Sequence, residues 1–438
     1  MKEAIEVTYL GRECGALSYD SESQLGAFEY APSFRANGLE LAPLTLPLGE
    51  RIYTFPTLDF SAFRGLPGLV ADSLPDDFGN AVLDAWVARQ GQQVADITPL
   101  QRLQYIGERG MGALGFRPAT RLRKLNASQN VALDALVHIA QDVLDQRRDF
   151  KLHLGSAGTE DTDAMLALLS VGSSAGGARA KAVLAFNQDF TMVRSGQVNV
   201  PPGFTHYLLK FDGVTEHRRN QETFGDPLGY STMEYVYALM ARNAGIHMMP
   251  CRLLDEGRRR HFLTKRFDRD GNQRIHMLTL NGLAHLSYRQ PGSSSYEALF
   301  AVARRLHLGA AEAEQLFRRM AFNVVARNHD DHAKNTAFLM GGQGRWTLAP
   351  AYDLAYSYKP GSAWVNAHWM QLNGKREDFT RADFHGLEKL SPLFSRPWID
   401  RVLDEVTSAV ARWPVLAKEY EVPSTLARAI TDNLRLKL

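Results

Sequence analysis

The chain has 438 residues, of which 45% are hydrophobic and 22% charged, a composition that excludes a largely disordered chain. Lys and Arg total 50 against 48 Asp and Glu, so a net charge of +2 gives no global basic field for nucleic-acid binding. Two cysteines, Cys14 and Cys251, cannot build a disulfide framework, which fits a reducing cytoplasm. The opening MKEAIEV lacks an apolar h-region, and the apolar runs fall far short of the ~20 residues of a membrane span. At roughly 150 residues per unit the length suggests about three folding units.

Residues 5–10 (IEVTYL) are β-branched and aromatic, and Gly11 and Gly15 punctuate them, which predicts a strand and hairpin. Short strand-like pieces separated by Gly and Pro continue to about residue 60. Residues 76–89 read as helix, with Phe78, Val82 and Trp86 at i, i+4 spacing. Another helix is expected over 98–107, then a glycine-rich turn, GERGMGALGF. A helical piece over 131–146 and a polar loop, GSAGTEDTD, lead to an apolar run at 164–171. Strands are expected from Lys181 and over 206–211, a helix over 233–245, and a hairpin over 252–267 turning at Asp255-Glu256-Gly257. Beyond about residue 290 the spacing is mainly helical, over 296–306, 311–327, 397–413 and 423–436.

The densest chemistry lies in Phe322-Asn-Val-Val-Ala-Arg-Asn-His-Asp-Asp-His-Ala-Lys-Asn335. An apolar helix there ends in a loop holding His329, Asp330, Asp331, His332, Lys334 and Asn335. A hairpin follows and delivers Pro350-Ala-Tyr-Asp353. Asp330 can accept the proton of an attacking hydroxyl, and Asn335 and Asp353 offer oxygen ligands to Mg²⁺ on nucleotide phosphates. The Asp-to-Asn spacing equals that of the protein-kinase catalytic loop. Lys334 can neutralise charge on a transferring phosphoryl group. The plainer reading is a polar helix-end loop with capping carboxylates; a third is a His/Asp metal site for hydrolysis on His329 to His332.

Upstream, Gly172-Ser-Ser-Ala-Gly-Gly-Ala-Arg-Ala-Lys181 has the small residues that let backbone N–H groups approach a phosphate, but not the ending of a Walker A loop. Lys210 closes the strand HYLLK and can reach α- and β-phosphates. Glu234, opening the next helix, either pairs with Lys210 or is solvated. Glycine-rich loop, strand Lys, helix Glu, Asp-x-x-x-x-Asn loop and hairpin Asp follow one another as they do in protein kinases.

On these residues the chain resembles the HipA family, the serine/threonine kinase toxins of bacterial toxin–antitoxin modules. The resemblance is carried by Asp330-Asp-His-Ala-Lys-Asn335, with support from Ser174-Ala-Gly-Gly-Ala-Arg-Ala-Lys181, His206-Tyr-Leu-Leu-Lys210, Arg266-Phe-Asp-Arg269 and Pro350-Ala-Tyr-Asp353. Ala71-Asp-Ser-Leu-Pro-Asp76 and Gly107-Glu-Arg-Gly-Met-Gly-Ala113 look like the family's N-terminal region. The resemblance implies an α+β, bilobal protein-kinase-like fold. Its parts would be an N-terminal subdomain over residues 1–120, a nucleotide-binding part over 121–290 and a helical C-lobe over 291–438. It implies ATP and Mg²⁺, with Asp330 as catalytic base and Asn335 and Asp353 as metal ligands. Gly176, Gly177, Ala178, Arg179, Ala180, Lys181, Lys210, His332 and Lys334 would face ATP. Lys265, Arg266 and Phe267 would form the hinge at adenine. Lys265 stands where the family often has Glu. Autophosphorylation would fall on Ser174, or on Ser173 if the alignment shifts. The implied partners are an antitoxin of HipB type, through which alone DNA would be met, and a protein acceptor such as an aminoacyl-tRNA synthetase; no membrane is implied. Arg258-Arg-Arg260 and Arg218-Arg219 read as solvated turns. The rival functions are a kinase-like binding protein acting in an antitoxin–operator DNA complex and a metal-dependent phosphohydrolase.

Overall fold

The computed structural model describes residues 2–119, 132–146, 179–214 and 227–438. The N-terminal unit is an antiparallel sheet of β1 (Lys2–Tyr9), β2 (Arg12–Asp20), β3 (Leu25–Tyr30) and β4 (Leu114–Arg117), in the order β3-β2-β1-β4. Alternation along β2 buries Leu17 and Tyr19, and Cys14 is buried at the register shift with β1. Of the strand-like pieces expected up to residue 60, those before Tyr30 form β2 and β3, and those after it do not join this sheet as strands. After Tyr30 the chain forms short helices and isolated bridges such as Phe28 with Tyr53. Pro32, Pro43, Pro47 and Pro56 interrupt that stretch, and each removes a ladder donor.

Helix α1 (Asp77–Arg89) starts where Asp76 accepts the Gly79 amide at 2.6 Å. Helix α2 (Pro99–Ile106) starts on a capping box of Thr98 and Gln101. A second sheet takes β5 (Lys181–Asn187), β6 (Val193–Ser195), β7 (Phe204–Lys210), β8 (Cys251–Glu256) and β9 (Arg259–Lys265) in the order β6-β5-β7-β9-β8. One of its faces buries Ala182, Leu184, Phe186, Leu209 and Leu263 against α1 and α3 (Leu133–Gln146). Lys181 and Lys210 are register partners, so strand alternation turns both to the opposite face. Helix α4 (Tyr230–Asn243) packs along β8 and β9 and carries Glu234.

The C-terminal lobe is built on α5 (Tyr296–Arg305), α6 (Ala310–Val325), α7 (Arg396–Val410), α8 (Trp413–Glu419) and α9 (Ser424–Asn433). Helix α6 is buried from Leu316 to Val325. Truncating Phe322 there would cost about 3–5 kcal/mol, the usual cost of emptying an aromatic site. The expected hairpin after the polar loop forms as β11 (Ala337–Met340) and β12 (Trp346–Leu348), and β10 (His276–Thr279) adds a strand beside β11. One apolar cluster runs from the N-terminal sheet through α4 into the C-terminal helices. The polar loop after α6 is thereby held rigidly beneath β7.

Candidate active site

Lys210 ends β7 with its ammonium between two carboxylates. Glu234 of α4 lies at 2.5 Å, and Asp353, on the segment following β12, is the second contact. Glu234 is buried and also takes Arg179 at 3.1 Å, so the solvated alternative for Glu234 does not hold. Two cations and two anions thus share one buried cluster. Burial pulls the Lys210 ammonium down, but Asp353 and Glu234 outweigh it and leave its pKa raised. At Glu234 burial wins and the pKa rises. At Asp353 the opposing burial is overcome by Lys210 and Lys181, which bring it to about 2. Asp353 also has φ of +53°, a left-handed backbone that a non-glycine residue adopts at a cost.

The polar loop separates its two adjacent aspartates by environment. Asp331 is buried and fully occupied. It accepts the Tyr296 hydroxyl at 2.6 Å, His368 Nδ1 at 3.0 Å and the Trp369 amide at 2.8 Å. Asp330 keeps 45% of its side-chain surface, with His332 Nε2 at 3.8 Å from Oδ1. Asp330 is therefore the carboxylate able to meet an incoming group, and Asp331 anchors the loop to residues 368–370. The Asn335 amide nitrogen donates to the Asp330 carbonyl at 2.6 Å, which leaves its Oδ1 as an oxygen donor. Asn328 ties the loop to Asp353 by donating to the Asp353 carbonyl at 3.3 Å. The Tyr352 hydroxyl donates to the Lys334 carbonyl at 2.6 Å. The polar loop and the hairpin return are thus locked together, with Lys210 above them.

Beside the cluster, a hollow is lined by Leu208, Thr264, Lys265, Phe267, Ala351 and Tyr352. Phe267 and Tyr352 pack with ring centroids 5.5 Å apart. The Arg266 side chain does not face this hollow freely. Its guanidinium is committed to Asp268 at 2.8 and 2.7 Å, and Arg269 and the Gly112 amide hold the same carboxylate. Arg266-Phe-Asp-Arg269 is in this respect a clip that fastens the 110–112 turn to the second sheet. At the expected hinge, the groups left open toward the hollow are backbone and the side chains of Lys265 and Phe267.

The residues that sequence reasoning missed come from the N-terminal unit. Asp72, Ser73, Leu74 and Met111 line the same hollow, and Asp72 accepts both the Thr279 amide and its hydroxyl at 2.7 Å. Asp76, besides capping α1, pairs with Lys181 at 2.9 Å. Lys181 is thus directed toward the N-terminal unit. Lys334 lies over the Tyr288 ring, 4.6 Å from its centroid. Burial lowers its pKa, but Tyr288, Asp72 and Asp76 raise it further, and the net shift is upward. The segment ADSLPD looked like a family signature, but nothing in its local pattern announces contact with residues two hundred positions away. Ser173, Ser174, Gly176, Gly177 and Ala178 lie outside the described residues; Ala180 is buried at the start of β5.

A metal centre on His329 to His332 is not assembled. His329 is buried against His368, at 4.1 Å between ring centroids, and burial, then His368 and Arg327, push its pKa down to about 2. With Asp331 occupied as well, the four side chains divide into two pairs, His329 and Asp331 around His368 and Asp330 beside His332. Among the described residues no group of three His, Cys, Asp or Glu side chains is placed to hold a metal ion. A two-oxygen site completed by nucleotide phosphates is a different case, for which Asn335 keeps its carbonyl oxygen and Asp353 an ionised carboxylate.

A family model for the HipA-like C-terminal domain matches residues 173–413, and one for the HipA N-terminal domain matches residues 5–117. The chain belongs to the HipA-like family. The HipA of Shewanella oneidensis MR-1, solved with HipB and its operator DNA, has the same fold. At 16% identity the likeness covers 98% of this chain and 94% of that one, with a TM-score of 0.64. The Helicobacter pylori proinflammatory kinase CtkA is more distant, at 12% identity over 52% of this chain and 92% of that one, TM-score 0.31. No curated protein matches the chain. The HipA-like fold is α+β and bilobal, with the Lys210 cluster on the sheet side of the cleft and Asp330 and Asn335 on the helical side.

Proposed function

We propose that the chain is a toxin-type serine/threonine protein kinase that transfers the γ-phosphoryl group of ATP to a protein acceptor. The observation that carries this reading is the gathering of Lys210, Glu234 and Asp353 directly above the loop that exposes Asp330 and hides Asp331. Lys210 orients the α- and β-phosphates, and Lys334 and Arg179 offset charge near the transferring group. Asp330 accepts the proton as the acceptor hydroxyl oxygen bonds to γ-phosphorus. The bond from γ-phosphorus to its bridging oxygen breaks, and ADP leaves with those electrons. Asn335 and Asp353 would hold Mg²⁺, which when bound neutralises phosphate charge. The hollow at Lys265–Phe267 takes the adenine.

The Shewanella relative was solved with an antitoxin and operator DNA. By analogy, this chain pairs with an antitoxin of HipB type and meets DNA through it. Autophosphorylation at Ser174, or Ser173, switches it off, and an aminoacyl-tRNA synthetase is a fitting acceptor class. The functional units are residues 1–120, 121–290 and 291–438. The test is intact mass after phosphatase treatment and incubation with Mg-ATP. Wild type gains phosphoryl groups and Asp330→Ala does not. Equal gain by both would remove Asp330 as the base.

A further inference from the structure

An indole stands half exposed at the outer end of a line of rings that passes the proposed base. Trp364 keeps 50% of its surface, although it stacks on buried Trp369, with ring planes 8° apart and centroids at 5.9 Å. The Trp369 edge meets His332 at 5.7 Å, and His332 meets Tyr288 at 5.7 Å. Four rings therefore form a continuous strip from solvent past Asp330, whose Oδ1 is 3.8 Å from His332 Nε2. The turn that presents Trp364 is fixed. Ser362 accepts the Trp364 and Val365 amides at 3.2 and 3.3 Å, and Asn366 accepts the Gly361 amide at 2.8 Å. A large aromatic on a rigid turn carries binding area at low entropic cost.

The strip leads into a groove of about 680 Å³ that shares Lys334 and Leu74 with the nucleotide hollow. Its far walls are the N-terminal unit: Asn80 and Asp84 of α1, Ala95, and Thr98 at the start of α2. Three aspartates (77, 84, 96) and four cations (Arg64, Arg102, Arg289, Lys334) line it. Arg102 is paired with Asp84 at 2.8 Å and Arg289 with Asp77. Charge of both signs, with two of the four cations held in ion pairs, suits a nucleic-acid backbone poorly, since that calls for a run of unpaired cations. It suits an extended polypeptide with its many donors and acceptors, and the volume is that of a few residues.

Resting on the kinase reading above, we infer that the acceptor polypeptide lies along this path. A large apolar residue beside the target hydroxyl stacks on Trp364, and the rest of the segment runs over Tyr288 into the groove of the N-terminal unit. The N-terminal unit then selects the acceptor, and the strip positions its hydroxyl at Asp330.

The test uses Ser-centred peptide pools, each with one flanking position fixed, labelled from γ-³²P-ATP by the full chain. Nucleotide affinity is measured in parallel by calorimetry. Wild type favours an aromatic or long aliphatic residue at one flanking position. Trp364→Ala erases that preference and raises KM for the best peptide about tenfold, with Mg-ATP affinity unchanged. Trp364→Phe recovers most of the loss. Ala95→Trp, which fills the exposed end of the groove, raises KM for longer peptides only. An unaltered preference and KM in Trp364→Ala would overturn the inference. So would a wild type that binds Mg-ATP yet labels no pool. A wild type that does not bind Mg-ATP would instead overturn the kinase reading itself.

Discussion

Lys181 and Lys210 face one another across β5 and β7, both almost fully buried, yet they tie the sheet to different parts of the molecule. Lys210 is shared by a carboxylate from α4 and one from the C-terminal lobe, with Arg179 balancing the set. Its cluster is complete only when both lobes and the helix are in place. Lys181 pairs with Asp76, which also caps α1, besides helping to lower Asp353. The first lysine assembles the site, and the second fastens the N-terminal unit to the sheet that carries it. Two identical side chains on neighbouring strands therefore differ in role because of what the rest of the fold brings to them.

The largest expected effect that tests this contrast comes from Lys210→Met. It leaves Glu234 and Asp353 buried without the cation they share, with Arg179 and the field of Lys181 remaining, and breaking a buried pair costs about 3–5 kcal/mol. Urea unfolding should show that loss; an unchanged midpoint would mean the cluster is not coupled as described. Next in size is the Asp76 pair. Asp76→Ala removes both the cap and the partner of Lys181, whereas Asp76→Asn keeps a good capping residue. The asparagine variant should retain about 1 kcal/mol more stability, and equal losses would show that the cap contributes nothing.

A graded effect separates the two regions by pH. His276 Nε2 donates to the Leu41 carbonyl at 2.9 Å, and His285 Nε2 accepts the Gly68 amide at 3.0 Å. Burial lowers both to about 4 from 6.5. The unfolded chain binds these protons first. Stability is therefore intact above pH 6.5 and declines by up to roughly 1.4 kcal/mol per pH unit per histidine as pH falls toward 4. Asp353, lowered from 3.8 to about 2, keeps its contribution across that window and loses it only as pH falls from 3.8 toward 2. Unfolding midpoints followed from pH 7 to 4 should fall in wild type and fall less in His285→Gln. A flat profile would contradict the buried neutral state of these rings.

Local pattern made much of this legible. Helices at 77–89, 230–243 and 310–325, the strand ending at Lys210 and the hairpin after Asn335 all follow from periodicity and turn residues. The order of Lys, Glu, Asp-x-x-x-x-Asn and Asp was visible because each stands at an element's end. The division of labour between Asp330 and Asp331 was not visible in their side chains. It is decided by Tyr296 and His368, more than thirty positions away on either side. Nor could the sequence choose between a solvated and a paired Glu234, or show Asp72 lining the hollow and Asp76 pairing with Lys181. Those depend on how the N-terminal unit docks, and no short-range periodicity records docking.

The central claim is that Lys210, Asp330, Asn335 and Asp353 surround one nucleotide. Calorimetric titration of Mg-ATP into wild type and Lys210→Met tests it most directly. The account predicts saturable, magnesium-dependent binding by wild type and an affinity at least about tenfold weaker in the variant. Equal affinities, or no binding by wild type, would contradict it.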